Sequence, residues 1–242
     1  MNAALSVRDL TVAYSEKPVL WDIDLDIPSG SRTAIVGPNG AGKSTLIKAV
    51  LGLIPVAAGT IRVFDQPVDQ ARQRIGWVPQ RSHVDWDFPA DVLDVVMMGR
   101  YGRLGWFKRP GKRDREIALD ALDQVSMADL QKRHISQLSV GQQQRVFLAR
   151  ALAQQADLYL MDEPFAGVDA VTEEAIVQIL RRLQADGKTS VVVHHDLDTA
   201  QEYFDHAVLL NIRLTNSGPM SEVWNQQSLE AAYGHRAAQL FS

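Results

Sequence analysis

The chain has 242 residues, of which 46% are hydrophobic and 22% charged, so it can bury a full core and does not have the composition of a disordered protein. Its formal net charge is -4, and no block of Lys or Arg could neutralise a phosphate backbone over several contacts, which argues against a nucleic-acid partner. The absence of cysteine excludes disulfide frameworks, thiolate nucleophiles and Cys-based zinc sites.

The N-terminal part of the sequence has the pattern of strands and turns. Residues 23–27 alternate apolar and acidic side chains, the period of a half-exposed strand, and residues 28–30 supply turn chemistry after it. Residues 33–36 are a short apolar run typical of a buried central strand, followed by a glycine-rich loop and a helix predicted over residues 45–53. Further strands are predicted over residues 59–64 and 74–78.

Residues 87–138 have helical patterns instead, so we expect a small helical subdomain there. Short apolar runs return at residues 158–161 and 190–193, separated by an amphipathic helix. This alternation predicts an α/β fold whose central sheet is largely parallel, with an N-terminal antiparallel β region. We expect one domain over residues 1–242. Its body comprises residues 1–86 and 139–242, and residues 87–138 form the inserted subdomain.

One loop has the pattern of a phosphate-binding loop, G-x-x-x-x-G-K-[ST], between a predicted strand and a predicted helix. Its glycines let backbone N–H groups face a phosphate chain, the lysine reaches the β and γ phosphates, and the serine hydroxyl ligates Mg²⁺. The alternative is an ordinary glycine-rich turn, which the strand and helix on either side disfavour. The loop residues are Gly37, Pro38, Asn39, Gly40, Ala41, Gly42, Lys43, Ser44 and Thr45.

Two adjacent carboxylates, Asp162 and Glu163, follow the apolar run at residues 158–161. The C-terminal ends of strands are where ligands of open α/β sheets bind. We expect Asp162 to hold Mg²⁺ and Glu163 to act as the general base that polarises a water. Without the phosphate loop, such a pair would more often be a solvated strand end or the start of a helix.

Residues 138–145, LSVGQQQR, can be interpreted in two ways. Ser139 with Gln142 three residues later is the pattern of a capping box that opens a helix. The segment also lies after the helical insertion and before the acidic strand, and in that place it resembles the signature motif of the ABC ATPase family. With the phosphate loop and the acidic pair, the resemblance covers nearly the whole chain and implies a P-loop ATPase fold.

The resemblance implies that ATP lies between two copies of the chain. Ser139, Gly141 and Gln142 of one copy would then act on the γ-phosphate held by the other. Val140 departs from the family pattern, which usually has glycine there. Other positions that match family motifs are Tyr14, which would stack on adenine; Gln80, which would reach Mg²⁺ and the water; Asp169, which would cross the dimer interface; and His195, which would contact the γ-phosphate. Neighbouring strand residues face opposite ways, so His194 and His195 are not expected to share one metal ion, and His194 is expected to be a packing residue or to support the site from behind.

Residues 82–106, with residues 162–169 and 193–197, are similar to ATPases of the bacterial manganese, zinc and iron importers. The resemblance implies an ATP-hydrolysing homodimer on the inner face of the membrane, which drives a separate permease and depends indirectly on an extracytoplasmic metal-binding protein. Siderophore and haem importers stay as the alternative, and a soluble non-transport ABC ATPase is a further one. Five candidate contacts with the permease are Trp86, Phe88, Met97, Met98 and Tyr101.

Overall fold

The computed structural model describes residues 3–14, 17–84, 86, 88–104 and 109–234. Its strands are β1 Ala3–Ala13, β2 Pro18–Pro28, β3 Arg32–Val36, β4 Ala58–Val63, β5 Gln66–Pro67, β6 Ile75–Val78, β7 Leu158–Asp162, β8 Thr189–Val193, β9 His206–Asn211 and β10 Arg213–Pro219. Its helices are α1 Lys43–Val50, α2 Val68–Ala71, α3 Val92–Met97, α4 Tyr101–Leu104, α5 Lys112–Gln124, α6 Val140–Ala153, α7 Ala170–Ala185, α8 Leu197–Tyr203, α9 Met220–Val223 and α10 Gln226–Tyr233. None of the helices in these ranges is long and apolar enough to span a membrane.

The chain divides into two compact units. The first comprises Met1–Arg72 and Gln184–Ser242, and the second comprises Gln73–Leu183. The predicted helical subdomain, residues 87–138, lies within the second unit, and its boundaries stay a prediction. Four residues of the segment that resembles metal importers, 85, 87, 105 and 106, lie outside the described residues.

The first unit contains an antiparallel sheet in the strand order β2-β1-β4-β5. The predicted alternation is present in β2, where Ile23, Leu25 and Ile27 are buried while Asp24 and Asp26 are exposed. One face of this strand therefore packs on the core and the other faces water, as antiparallel sheets allow.

The same unit also contains a largely parallel sheet around β3. This strand pairs in parallel with β8 on one side and with β9 on the other, and β10 joins β9 antiparallel. All five residues of β8 are buried, as are four of the five residues of β3. The prediction of a buried central strand at residues 33–36 is confirmed, and the helix crossovers that parallel pairing requires explain why both strands are largely buried.

Helix α1 differs at both ends from the helix predicted over residues 45–53. It begins at Lys43, because Gly42 takes a left-handed conformation, φ 93°, that turns the chain into the helix. It ends at Val50, because Leu53 donates its backbone N–H to the Lys48 carbonyl at 2.9 Å and closes the last turn.

The second unit is built around α6. Strands β6 and β7 pair in parallel, with Val78 opposite Met161. Helix α6 buries apolar residues along most of its length, and α5 buries Ala118, Ala121 and Leu122. Both helices therefore contribute to one core.

His194 is a core residue of the first unit. Its backbone N–H donates to the Ile35 carbonyl at 3.0 Å, and its Nε2 lies 2.9 Å from the Thr199 hydroxyl. The ring packs against Phe204, with centroids 5.3 Å apart. Burial lowers the pKa of His194 from its usual 6.5 to about 4. The imidazole is therefore neutral at physiological pH and ties β8 to α8.

This pKa makes stability depend on pH in a definite direction. Between pH 6.5 and 4 the unfolded chain binds the proton at His194 and the folded chain does not, so the free energy of unfolding falls as the pH falls through this window. The wild-type chain should lose up to about 3 kcal/mol of its free energy of unfolding through protonation at this position as the pH falls through the window. His194→Gln cannot titrate there, so we expect it not to show that loss. Urea denaturation of both proteins at several pH values measures the difference, and parallel pH profiles would contradict the prediction.

Candidate active site

The phosphate loop lies between β3 and α1, as predicted. Two of its glycines are required by close packing: a Cβ at Gly37 would lie 2.0 Å from the Leu210 carbonyl oxygen, and one at Gly42 would lie 2.5 Å from the Leu20 side chain. The Ala41 carbonyl accepts the backbone N–H of Ile212 at 3.0 Å. The loop is therefore held against the strands below it, while Asn39 and Gly40 at its tip are exposed.

Lys43 occupies the inside of this loop. The residue is 6% exposed, and its Nζ donates to the carbonyls of Gly37 at 2.7 Å and Pro38 at 2.9 Å. The first turn of α1 contains no acidic residue of its own, and within the described ranges no side chain caps it. The lysine charge and the helix N-terminus therefore both favour an anion at this loop. Ser44 and Thr45 follow in the first turn of the helix.

His195 lies at the same edge of the parallel sheet as the phosphate loop. Strands β3 and β8 run in parallel with Ile35 opposite Val193, so the residues that follow both strands emerge at one end. His195 is exposed, in contrast to the buried His194. The prediction that the two adjacent histidines face different surroundings is correct. In the described ranges no group of three or more His, Cys, Asp or Glu residues could hold a metal ion.

Tyr14 directly follows β1 and is 60% exposed. A flat ring at this exposure is available to stack on a planar base. Its role toward adenine stays a prediction.

Gln80 and Glu163 are brought together in the second unit. Each follows one strand of the parallel β6 and β7 pair, and Gln80 Nε2 donates to Glu163 Oε2 at 2.8 Å. Asp162, the last residue of β7, is 3% exposed. Glu163 has φ 52°, a left-handed conformation that is uncommon for a residue with a Cβ and often marks functional sites. The turn after β7 thus directs the carboxylate to Gln80.

The capping box predicted at the start of α6 is present. The Ser139 hydroxyl accepts the Gln142 backbone N–H at 3.3 Å, and the Gln142 side chain accepts the Ser139 N–H at 3.0 Å. The Ser139 hydroxyl accepts in this bond, so its own proton can be donated to an anion. The structural and functional interpretations of the motif are therefore compatible. Val140 is the first residue of the helix and has a helical backbone, which a β-branched side chain can adopt.

Asp169 and Gly141 meet at a residue that the sequence analysis missed, Thr172. Asp169 caps α7 by accepting the Thr172 backbone N–H at 2.8 Å, and this hydrogen bond is the main reason why the pKa of Asp169 is lowered. A Cβ at Gly141 would lie 2.6 Å from the Thr172 hydroxyl, so only glycine fits without a shift. A sequence signal was available, because Asp is a preferred residue just before a helix, where its side chain accepts a backbone N–H two or three positions later.

Comparison with known proteins identifies the family. The ABC transporter family profile matches residues 20–166. The zinc transport system ATP-binding protein TroB of Treponema pallidum (strain Nichols) is 58% identical over 233 residues, 96% of this chain and 88% of that protein. The manganese transport system ATP-binding protein MntB of Bacillus subtilis (strain 168) is 58% identical over 232 residues, 96% of this chain and 93% of that protein.

Solved structures agree with these relatives. An ABC transporter in an inward-facing conformation matches with a TM-score of 0.84 and 31% identity, over 96% of this chain and 89% of that chain. A nucleotide-free ATP-binding cassette from an ABC transporter matches with a TM-score of 0.84 over 96% of this chain and all of its own, and at 23% identity it supports the fold alone. The predicted α/β ATPase fold is confirmed. The chain belongs to the ABC transporter family, as an ATP-binding subunit that hydrolyses ATP.

Proposed function

We propose that the chain is the motor subunit of a manganese or zinc importer, in which two copies close around ATP and drive a separate membrane permease. The observation that carries the catalytic part is the hydrogen bond between Gln80 and Glu163, which orients an amide and a carboxylate at the ends of paired strands. The observation that carries the cargo is that relatives 58% identical over 96% of the chain are named as zinc and manganese transport proteins.

The phosphate loop holds the triphosphate of ATP. Backbone N–H groups of residues 37–45 face the phosphates, and Lys43 turns its ammonium from the carbonyls of Gly37 and Pro38 to the β and γ phosphates. Because Lys43 is already buried and oriented, little side-chain freedom is lost when ATP binds. Tyr14 stacks on the adenine ring.

The residues proposed for Mg²⁺ fit that ion chemically. Ser44, Gln80 and Asp162 offer a hydroxyl, an amide oxygen and a carboxylate, and Mg²⁺ takes oxygen ligands. Gln80 uses its amide nitrogen toward Glu163, so its oxygen is the atom that can ligate a cation. Bound Mg²⁺ would neutralise charge on the phosphates.

Glu163 acts as the general base for hydrolysis. Its carboxylate accepts a proton from the water whose oxygen attacks the γ-phosphorus, and the bond from that phosphorus to ADP breaks. Gln80 holds the carboxylate in place through their hydrogen bond. His195, exposed beyond β8, contacts the γ-phosphate.

The second copy completes the reaction centre. Ser139, Gly141 and Gln142 at the start of α6 face the γ-phosphate held by the other copy, and the helix N-terminus adds positive potential there. Asp169 lies at the interface between the copies. The capping box supports this role, because it keeps the first turn of α6 ordered before ATP arrives.

Glu163→Gln is expected to bind ATP but to hydrolyse it roughly 10²–10⁴-fold more slowly, because the amide cannot take the proton. The variant should therefore accumulate as an ATP-dependent dimer, which light scattering after size exclusion can measure. Glu173→Gln, an equal change in the first turn of α7, is the control and should behave as wild type. Normal hydrolysis by a Glu163→Gln protein that stays monomeric with ATP would refute the proposed mechanism.

Lys43→Ala is expected to weaken ATP binding by about 10–100-fold, the worth of a charge-assisted hydrogen bond. Equilibrium binding of labelled ATP measures it directly. Lys48→Ala removes a lysine from the opposite end of the same helix and should leave affinity unchanged. Equal affinities for the two variants would show that Lys43 does not reach the phosphates.

The second unit also carries a surface suited to a membrane partner. Trp86, Phe88 and Met98, three of the five candidate contacts, line one cavity of about 190 Å³. Met97 and Tyr101 do not line it, although Tyr101 is 54% exposed. Exposed aromatic residues around an apolar cavity are typical of protein interfaces. We propose that a cytoplasmic helix of the permease packs here, so that the chain works peripherally on the inner face of the membrane, and that an extracytoplasmic protein delivers the metal to the permease.

The proposed cargo predicts a specific defect. Cells that lack this gene should lose most high-affinity uptake of Mn²⁺ or Zn²⁺, and a plasmid copy should restore it only if it can hydrolyse ATP. Uptake of each radioactive metal, with Glu163→Gln as the inactive copy and Glu173→Gln as the active one, tests this. Intact manganese and zinc uptake with a loss of siderophore or haem iron would support the alternative cargo instead.

A further inference from the structure

Two arginines of the second unit, the buried Arg100 and the half-buried Arg150, differ in how their charges are satisfied. Arg100 forms an ion pair with Asp114 at 3.1 Å, and it donates to the Ala153 carbonyl and to Gln155. Arg150 has no such partner in the described part of the chain: its Nε is buried without an acceptor, and its guanidinium lies 4.6 Å from the ring of Phe147.

Arg150 is distinct among the arginines with a buried, unpaired Nε. The others in the described ranges each have a further polar contact through the same guanidinium: Arg32 with Asp205, Arg81 with Gln143, and Arg145 with the Val125 carbonyl. Burial alone lowers the pKa of Arg150, which agrees with a cation that lacks a nearby carboxylate. A half-buried cation with no carboxylate beside it, and with a buried Nε that has no acceptor, loses hydration that the isolated subunit does not replace.

Arg150 faces the cavity proposed above for the permease. The lining is otherwise apolar and contains no carboxylate: Val84, Trp86, Phe88, Val95, Met98, Ile135 and Phe147. At about 190 Å³ the cavity is smaller than the ~300–1,000 Å³ of small-molecule sites, so it fits a side chain better than a free ligand.

The position of Arg150 is fixed by tight packing. A Cβ at Gly99 would lie 2.2 Å from the Arg150 carbonyl oxygen, so α6 and the turn at Met98–Arg100 are in close contact. Phe147 is in turn packed against Trp86, with centroids 5.0 Å apart. The backbone of Arg150 is therefore closely packed, and its guanidinium lies on the ring of Phe147, so a partner meets it with little reorganisation.

We propose that the permease helix that enters this cavity carries a carboxylate among its apolar residues, and that this carboxylate pairs with Arg150. The inference rests on the proposed function, because it specifies the chemistry of the partner at the same surface. Charge complementarity selects the partner: an apolar cavity with one unpaired cation is matched by an apolar segment with one anion. A planar guanidinium can hold a carboxylate through two parallel hydrogen bonds.

The inference predicts opposite effects on the isolated subunit and on the complex. Arg150→Met should leave the melting temperature of the isolated subunit unchanged or raised, because it removes a half-buried charge that has no ion-pair partner in the described part of the chain. The same change should weaken association with the permease at least tenfold, since the permease carboxylate then loses its partner. Arg150→Lys should give a smaller loss, because it keeps the charge but not the fork geometry.

Two controls define these effects. Arg100→Met should lower the melting temperature, because Asp114 loses its ion-pair partner and the Ala153 carbonyl loses its donor, whereas the exposed Arg115→Met should change neither quantity. Association is measured with the detergent-solubilised permease of the importer to which this chain is proposed to belong. If the wild-type chain does not bind that permease, the proposed function fails; if wild type and Arg150→Met bind equally, only this inference fails.

A charge swap identifies the partner residue. Each acidic residue on the cytoplasmic helices of the permease is changed to Arg and combined with Arg150→Glu. One of these charge-swapped pairs should bind at least tenfold more tightly than Arg150→Glu binds the unchanged permease. The inference is overturned if no pair recovers affinity, if the effect of Arg150→Met requires anionic lipid in the preparation, or if Arg150→Met lowers the melting temperature as Arg100→Met does.

Discussion

Parallel pairing of strands whose ends are aligned is the constraint on which the functional residues depend. In the first unit, Ile35 lies opposite Val193, so the phosphate loop after β3 and His195 after β8 emerge at one edge. In the second unit, Val78 lies opposite Met161, so Gln80 and Glu163 emerge together and form a hydrogen bond at 2.8 Å. A shift of one residue in either pairing would reverse the faces of all side chains on the strand and separate these groups.

The start of α6 combines a structural and a catalytic task. Ser139 and Gln142 satisfy each other's backbone N–H groups, while Gly141 lies so close to Thr172 that a methyl group would not fit. Thr172 also donates its backbone N–H to the capping carboxylate of Asp169. The segment proposed to face ATP and the segment proposed to cross the dimer interface therefore share one residue, and a displacement of either is transmitted to the other by direct contact.

The charges of Arg100 and Arg150 in the second unit are compensated to different extents. Arg100 has a full set of partners within the chain, whereas Arg150 has the face of an aromatic ring. Removing one member of a buried ion pair destabilises a subunit, and a half-buried cation without an anion lowers its stability. A subunit that works in a complex can retain such a group, because the partner supplies the missing anion. The sequence then encodes a contact with the partner as well as the stability of the isolated chain.

The sequence by itself determined the strands at residues 23–27 and 33–36, the loop around Lys43, the acidic pair and the capping box. Each of these depends on neighbours in sequence: alternation sets a strand, glycine spacing sets the loop, and Ser139 reaches Gln142 within one helical turn. The ends of α1 were misplaced, since hydrogen bonds in the flanking turns decide where a helix stops.

Only the tertiary structure decided which distant residues meet. The contacts between Gln80 and Glu163 and between Gly141 and Thr172 join elements that are far apart in the sequence, so no local pattern could predict them. The same holds for burial: adjacent histidines differ because β8 places one in the core, and two similar arginines differ because packing provides an acid for Arg100 and an aromatic ring for Arg150. Residue identity fixes which charges a chain carries, whereas the fold fixes how each is solvated and paired.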